Sequence, residues 1–295
     1  MVSFGLSTYE NRGYTPVVET VTLEDFDARL DYDVIKEPIV RSGITDKYFV
    51  VNTKTNEALG IVGRTFAPVR HSDFFLPIRR VWQDKLPHLL DDVRVINKIS
   101  RRGAWALEEA IFPKAKGRIE TDKQSTEIAL RFLYWHGQDA LTSSNSIVGA
   151  VDFSCINGQV SGDYDHLRKK NTTHFSMDDF IKEIGSLEER FAAHVAWCQR
   201  LARKQISELE LDTLLDNIIP FEKPRSKMKD SAMNEISTRG WNMWSVYSAF
   251  TDYASHSERF ALRNTANDNS EERMFRRNID VSRWVSSPYF LAMAA

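Results

Sequence analysis

An α+β fold, with an antiparallel β-sheet in the N-terminal half packed with helices and a helical C-terminal half, is the architecture that this sequence predicts. Short apolar runs divided by polar turns fill residues 47–155, as strands of a sheet do. Beyond Ser176 the apolar residues recur at spacings of three and four, the period of a helix. The 295 residues, 42% apolar and 27% charged, are enough to bury a substantial core. The change of pattern near Leu167 to Asn171 divides the chain into a β-rich domain with short helices, residues 1–170, and a helical region packed on it, residues 171–295.

Taken in order, Thr22 to Leu30 reads as a short helix, with Thr22 as its cap and Glu24 and Asp25 in the first turn, where carboxylates complement the helix dipole. Lys47 to Val51 and Ala58 to Phe66, joined by the polar stretch Thr53 to Glu57, form a predicted hairpin. Phe74 to Leu89 is predicted helical from Phe74, Phe75, Ile78, Trp82, Leu86 and Leu89, with Pro77 near the first turn and Arg79 and Arg80 on the opposite face. Strands are then expected at Val93 to Ile96, Gly103 to Leu107, Ser125 to Tyr134 and Ser146 to Cys155; the third carries the alternation Ile128, Leu130, Phe132, Tyr134. Helices follow at Met177 to Ile184, Leu187 to Leu209 and Ile236 to Phe260, with Phe221 to Lys229 as a polar link and Ser257 to Glu272 exposed. Within the third helix, Trp241, Trp244, Tyr247, Phe250 and Tyr253 make more than one apolar stripe. That pattern predicts burial on most sides, in the core or at a subunit interface.

Composition also limits function. A formal net charge of −2 gives no global attraction to nucleic acid, so any such binding must use a local patch. Residues 61–131 do hold 14 Lys and Arg against 9 Asp and Glu, whereas residues 1–60 hold 6 against 10. The two cysteines, Cys155 and Cys198, make neither a disulfide framework nor a cysteine zinc site, and a reducing cytoplasm is expected. The first ten residues lack a secretory leader's pattern, and about 18 consecutive apolar residues occur nowhere, so no membrane association is expected. No Walker-type loop occurs and the seven histidines are dispersed, which leaves neither ATP nor a metal, and no cofactor, to be expected.

Four segments, Val50 to Arg70, Arg131 to Asp139, Asp152-Phe-Ser-Cys-Ile-Asn-Gly158 and Trp241 to His256, resemble in order the phage/plasmid-like proteins grouped as domain of unknown function 932. After His136 this chain reads Gly-Gln-Asp-Ala-Leu, where many relatives have a Gly-rich, acidic turn. The resemblance implies the DNA biology of mobile elements in a bacterial cytoplasm. A remoter similarity, to phage single-strand annealing recombinases, implies single-stranded DNA as partner and assembly into homo-oligomers. On that reading Arg64, Arg70, Arg79, Arg80, Lys98, Arg101 and Arg102 neutralise phosphates, while Phe66, Trp105 or Tyr134 stack on bases. Arg101-Arg102-Gly103 followed by Trp105 is the most concentrated piece, whereas the basic runs Arg168 to Lys170 and Lys223 to Lys229 read as solvated loops.

Two other classes compete with DNA binding. A non-enzymatic interaction module that inhibits or redirects a host defence or replication protein suits the near-neutral charge. A hydrolase would have to rest on His136, Asp139, Cys155 and Asn157 as nucleophile, base and orienting groups, but Cys155 ends an apolar strand pattern and His136-Gly137 and Asn157-Gly158 read as turns, so the balance is against an enzyme.

Overall fold

The computed structural model describes residues 18–40, 46–100, 103–138, 143–152, 157–160, 166–255 and 270–295. Thr22 caps helix α1 (Leu23–Leu30), its hydroxyl accepting from the Asp25 amide. Three strands, β2 (Val34–Pro38), β3 (Lys47–Asn52) and β4 (Glu57–Gly63), form a small antiparallel sheet in the order β2-β3-β4. The predicted hairpin is β3 and β4, turning at Asn56 in the left-handed region (φ 57°). Helix α2 (His71–Lys85) tolerates Pro77, and a 3-10 segment, Pro87–Asp92, completes the stretch expected to be one helix.

The larger sheet has the order β1-β5-β6-β7-β8-β10, with β9 paired to β8. Its strands are β1 (Val18–Val21), β5 (Arg94–Ser100), β6 (Trp105–Glu120), β7 (Ser125–Gly137), β8 (Ser144–Asp152), β9 (Asn157–Val160) and β10 (His166–Lys169). The antiparallel sheets in the first half and helices in the second make this an α+β protein. Helices α3 (Asp178–Ile184), α4 (Leu187–Arg203), α5 (Glu208–Ile218), α6 (Glu222–Arg239), α7 (Met243–Ser255), α8 (Ser270–Val285) and α9 (Pro288–Ala294) follow.

Two compact units are formed, and they interleave along the chain. The first holds Met1–Ala110, Leu133–Ser146 and Leu167–Ser186; the second holds Ile111–Phe132, Ile147–His166 and Leu187–Ala295. The core of the first is aromatic: Phe26 meets Phe75 edge-on at 5.1 Å, and Phe74 meets Phe180 at 5.1 Å. In the second, α7 is buried nearly all round. Trp244, Tyr247 and Phe250 are fully covered, with Trp197 on Tyr247 at 5.0 Å and Trp284 on Phe250 at 5.3 Å. Close packing also sets Gly117 of β6 against α4, where a Cβ would lie 2.3 Å from the Val195 Cγ2.

Three helical expectations are corrected by local chemistry. Leu187 to Leu209 is two helices, because Ser207 and Glu210 form a reciprocal capping box that starts α5. The polar link Phe221 to Lys229 is the first half of α6: Pro224 sits in the first turn, where its missing amide costs little, and Arg225 and Lys229 pair with Asp216 and Asp212 of α5. Ile236 to Phe260 is not continuous, since Gly240, at φ 92°, ends α6 before α7 begins. Residues 257–269 of the stretch expected to be exposed lie outside the described residues, and the remainder opens α8.

Candidate nucleic-acid interface

The described residues among those expected to meet DNA belong to the first unit and differ in exposure. Arg64 and Arg80 are exposed, and Lys98 is half-buried on β5 opposite Thr20. Arg70 is exposed but forks onto both carboxylate oxygens of Asp73 at 2.8 Å and reaches Asp33 at 3.4 Å. Arg79 is 6% exposed: its Nε donates to both Glu108 oxygens and its Nη1 to both Asp27 oxygens, at 2.7–2.9 Å. Trp105 is 5% exposed at the start of β6, and Tyr134 is fully buried with its hydroxyl donating to Glu108. Burial therefore removes Arg79 from the phosphate contacts and Trp105 and Tyr134 from the stacking platforms. A phosphate would have to displace two carboxylates from Arg79 in the interior. Phe66 is half-buried and bridges Thr172, while Arg101 and Arg102 lie outside the described residues.

A cationic surface that those expectations passed over lies in the second unit. Lys114, Lys116 and Arg118 occupy alternate positions of β6, and all three are exposed, whereas Ile119 and Gly117 face inward, the latter onto Val195. Alternation puts the three cations on one face, about 6.7 Å apart along the strand. Across the turn, Glu127 of β7 takes the Lys116 ammonium at 2.7 Å, and Arg118 pairs with Glu120 at 2.8 Å and donates to the Ser125 hydroxyl at 2.6 Å. These side chains are half-exposed or more. Such pairs are worth about 0–1 kcal/mol each, so an arriving phosphate displaces the carboxylates at little cost. The signal was legible as Lys-Ala-Lys-Gly-Arg, a period-two charge pattern at the end of an apolar run.

The group considered for hydrolysis takes a different form. His136 is fully buried and shares a hydrogen-bonded relay with His71, the two Nδ1 atoms 2.9 Å apart. His71 Nε2 lies 2.7 Å from the Gly103 carbonyl, an acceptor only, which assigns the proton to Nε2 and leaves Nδ1 to accept from His136 Nδ1–H. His136 Nε2 then accepts from the Asn171 amide at 3.1 Å, while the same amide donates to the Gly137 carbonyl at 2.8 Å and the Ser144 hydroxyl donates to Asn171 Oδ1 at 2.7 Å. Every donor in this chain has one acceptor, provided that both rings are neutral. Burial agrees with that requirement: it lowers His71 to about 4 and, aided by His71 itself, holds His136 well below the usual histidine range. Both nitrogens of His136 are thus committed inside the fold. Asn157 lies in β9 paired with Asp152, and Asp139 and Cys155 lie outside the described residues. The other thiol, Cys198, is fully buried, and burial pushes it well above the ordinary thiol range, where it is unreactive.

In the second unit, Arg239, 3% exposed, bonds Asp152 Oδ2 at 2.9 Å, Glu235 Oε2 at 2.6 Å and the Thr126 hydroxyl at 2.9 Å, with its guanidinium 5.7 Å from the Trp244 ring. Nearby, the Ser231 hydroxyl donates to Asp252 at 3.1 Å. Burial raises Glu235 despite Arg239. This node ties the end of α6 to strands β7 and β8. Among the described residues, no group of three or more His, Cys, Asp or Glu is placed to hold a metal ion, and no helix is long and apolar enough to cross a membrane.

Fold and site together define an α+β protein whose second unit displays a cationic β-ribbon on helix-backed strands. It belongs to the family described as Domain of unknown function (DUF932), whose family model matches residues 58–279. No curated protein and no solved structure matches the chain.

Proposed function

We propose that this protein binds single-stranded DNA through the exposed face of the β6–β7 ribbon, as a DNA-binding factor of a phage or plasmid. The observation that carries the reading is the alternation of Lys114, Lys116 and Arg118 on the open side of a strand whose other side packs on α4. Their period fits the repeat of an extended sugar-phosphate backbone, and release of counterions supplies the driving force. We extend the proposal to strand annealing by a homo-oligomer, which is what the remote resemblance of the sequence to phage annealing recombinases implies. Arg64, Arg80 and Lys98 remain proposed phosphate contacts of the first unit.

A labelled oligonucleotide titrated over a salt series, beside duplex of the same length, tests this. The three ribbon cations alone predict a slope of log K against log salt of about −2 for the single strand, and the three contacts of the first unit together with them about −4. The triple variant Lys114→Glu, Lys116→Glu, Arg118→Glu should lose at least about tenfold in affinity, a difference of about 1.4 kcal/mol. No binding at low salt overturns the reading and leaves the host-protein interaction module as the better one.

A further inference from the structure

The first unit carries a groove between α1 and α2 that none of the DNA contacts uses. It encloses about 360 Å³, and its lining includes Leu30, Phe75 and Leu76 with the carboxylates of Asp27 and Asp31. Helical geometry explains the alignment. Leu23, Asp27 and Leu30 fall on one face of α1, at intervals of four and three, with Asp31 as the residue that ends the helix, and Ser72, Phe75 and Leu76 fall on one face of α2. Leu30 and Phe75 are its buried apolar members, while Leu76 (38% exposed) leaves apolar surface open to water in its lining, as Leu23 (45%) does further along α1.

The charge beside this apolar strip is one-sided. From Leu23 to Asp33 the chain has five carboxylates and one cation. Asp27 already holds Arg79 through both oxygens yet remains 48% exposed, so its outer side still faces solvent. We propose that this groove docks a basic amphipathic helix of a partner protein, one apolar side chain entering above Leu30 and Phe75 and flanking Lys or Arg side chains meeting Asp31 and Asp27. An apolar helix face laid in a groove with complementary charge at the rim is a recurring mode of peptide recognition. A nucleic acid is disfavoured at the same place, because the rim repels phosphate.

The test uses the full chain and a fluorescent synthetic helical peptide built from repeats of Leu-Lys-Lys-Leu, with a Leu-Glu-Glu-Leu counterpart. The lysine peptide should bind and the glutamate peptide should not. Asp31→Lys and Leu76→Glu, both at exposed positions and checked for an unchanged circular dichroism spectrum, should each weaken the lysine peptide about tenfold. Oligonucleotide binding by the ribbon should be unchanged in both variants, so the two proposals fail separately. Equal binding of the lysine peptide to wild type and both variants, or no binding at all, overturns the docking site.

Discussion

Two buried polar clusters, a histidine relay in the first unit and an arginine node in the second, are held by opposite means, and the first unit also buries an ionic group of the second kind, Arg79 with Glu108 and Asp27. In the relay, His71, His136 and Asn171 are covered without charge: the direction of every hydrogen bond is set by one carbonyl, and two neutral rings follow from it. In the node, Arg239, Asp152 and Glu235 are covered with their charges opposed across distances of 2.6–2.9 Å. The difference teaches what each site can tolerate. A neutral relay fails when a proton is added, because two donors then face each other, whereas an ionic node fails when one partner is removed and a buried charge is left behind.

The largest expected effect is therefore on the ionic node. Arg239→Met takes the cation from Asp152, which is 1% exposed, and should cost about 3–5 kcal/mol in denaturant unfolding. Adding Asp152→Asn should restore part of it; a double variant no better than the single one would break the contrast with the relay.

Next comes the response of the relay to acid. Its histidines have folded-state values below their unfolded ones, so the unfolded chain binds more protons, and stability falls as pH drops below about 6.5. For His71, shifted to about 4, the loss on reaching that pH amounts to about 3 kcal/mol. Unfolding free energies measured from pH 7 to 5, above most carboxylate titrations, should slope downward towards acid. The slope should shrink in His136→Gln.

A smaller change sharpens the assignment of protons. Asn171→Asp replaces the donor to His136 Nε2 by an acceptor and should cost about 1–3 kcal/mol near neutral pH. It should also raise the His136 pKa, read from the imidazole Cε1 proton resonance during titration. An unmoved pKa would mean that the Asn171 amide does not help to hold the His136 ring neutral.

The smallest is Thr126→Val, which removes one neutral acceptor from Arg239 and leaves both carboxylates in place. A loss of about 1 kcal/mol in thermal or denaturant unfolding is expected. A loss as large as that of Arg239→Met would show that hydrogen bonding, not charge, holds the node.

Some of this was legible in the residues alone. Thr22 announces α1, because capping acts over a few residues, and the stretch from Ile128 to Tyr134 announces β7, although its alternation pointed to a half-buried strand and the structure buries both faces. The Ser207 and Glu210 pair and Gly240 were equally local, but apolar spacing on both sides masked them, so α4 was run into α5 and α6 into α7. The charged opening of α6 looked like a linker because its stabilising partners, Asp212 and Asp216, sit on another helix. Among candidate site residues, Arg79 looked like a surface group for a similar reason: Glu108 lies 29 residues away, and no local pattern announces that pairing.

By itself the sequence determined the α+β class, the order of most strands and helices, the burial of the Trp244 helix and the membership of the family. Each of these depends on periodicity or on short motifs, which chain neighbours establish. Only the tertiary structure decided which cations are spent inside, which of them line an open ribbon, and that His71 and His136, 65 residues apart, share one proton path. Those outcomes depend on long-range burial: whether a charge meets water or a carboxylate is settled when distant strands and helices close over it.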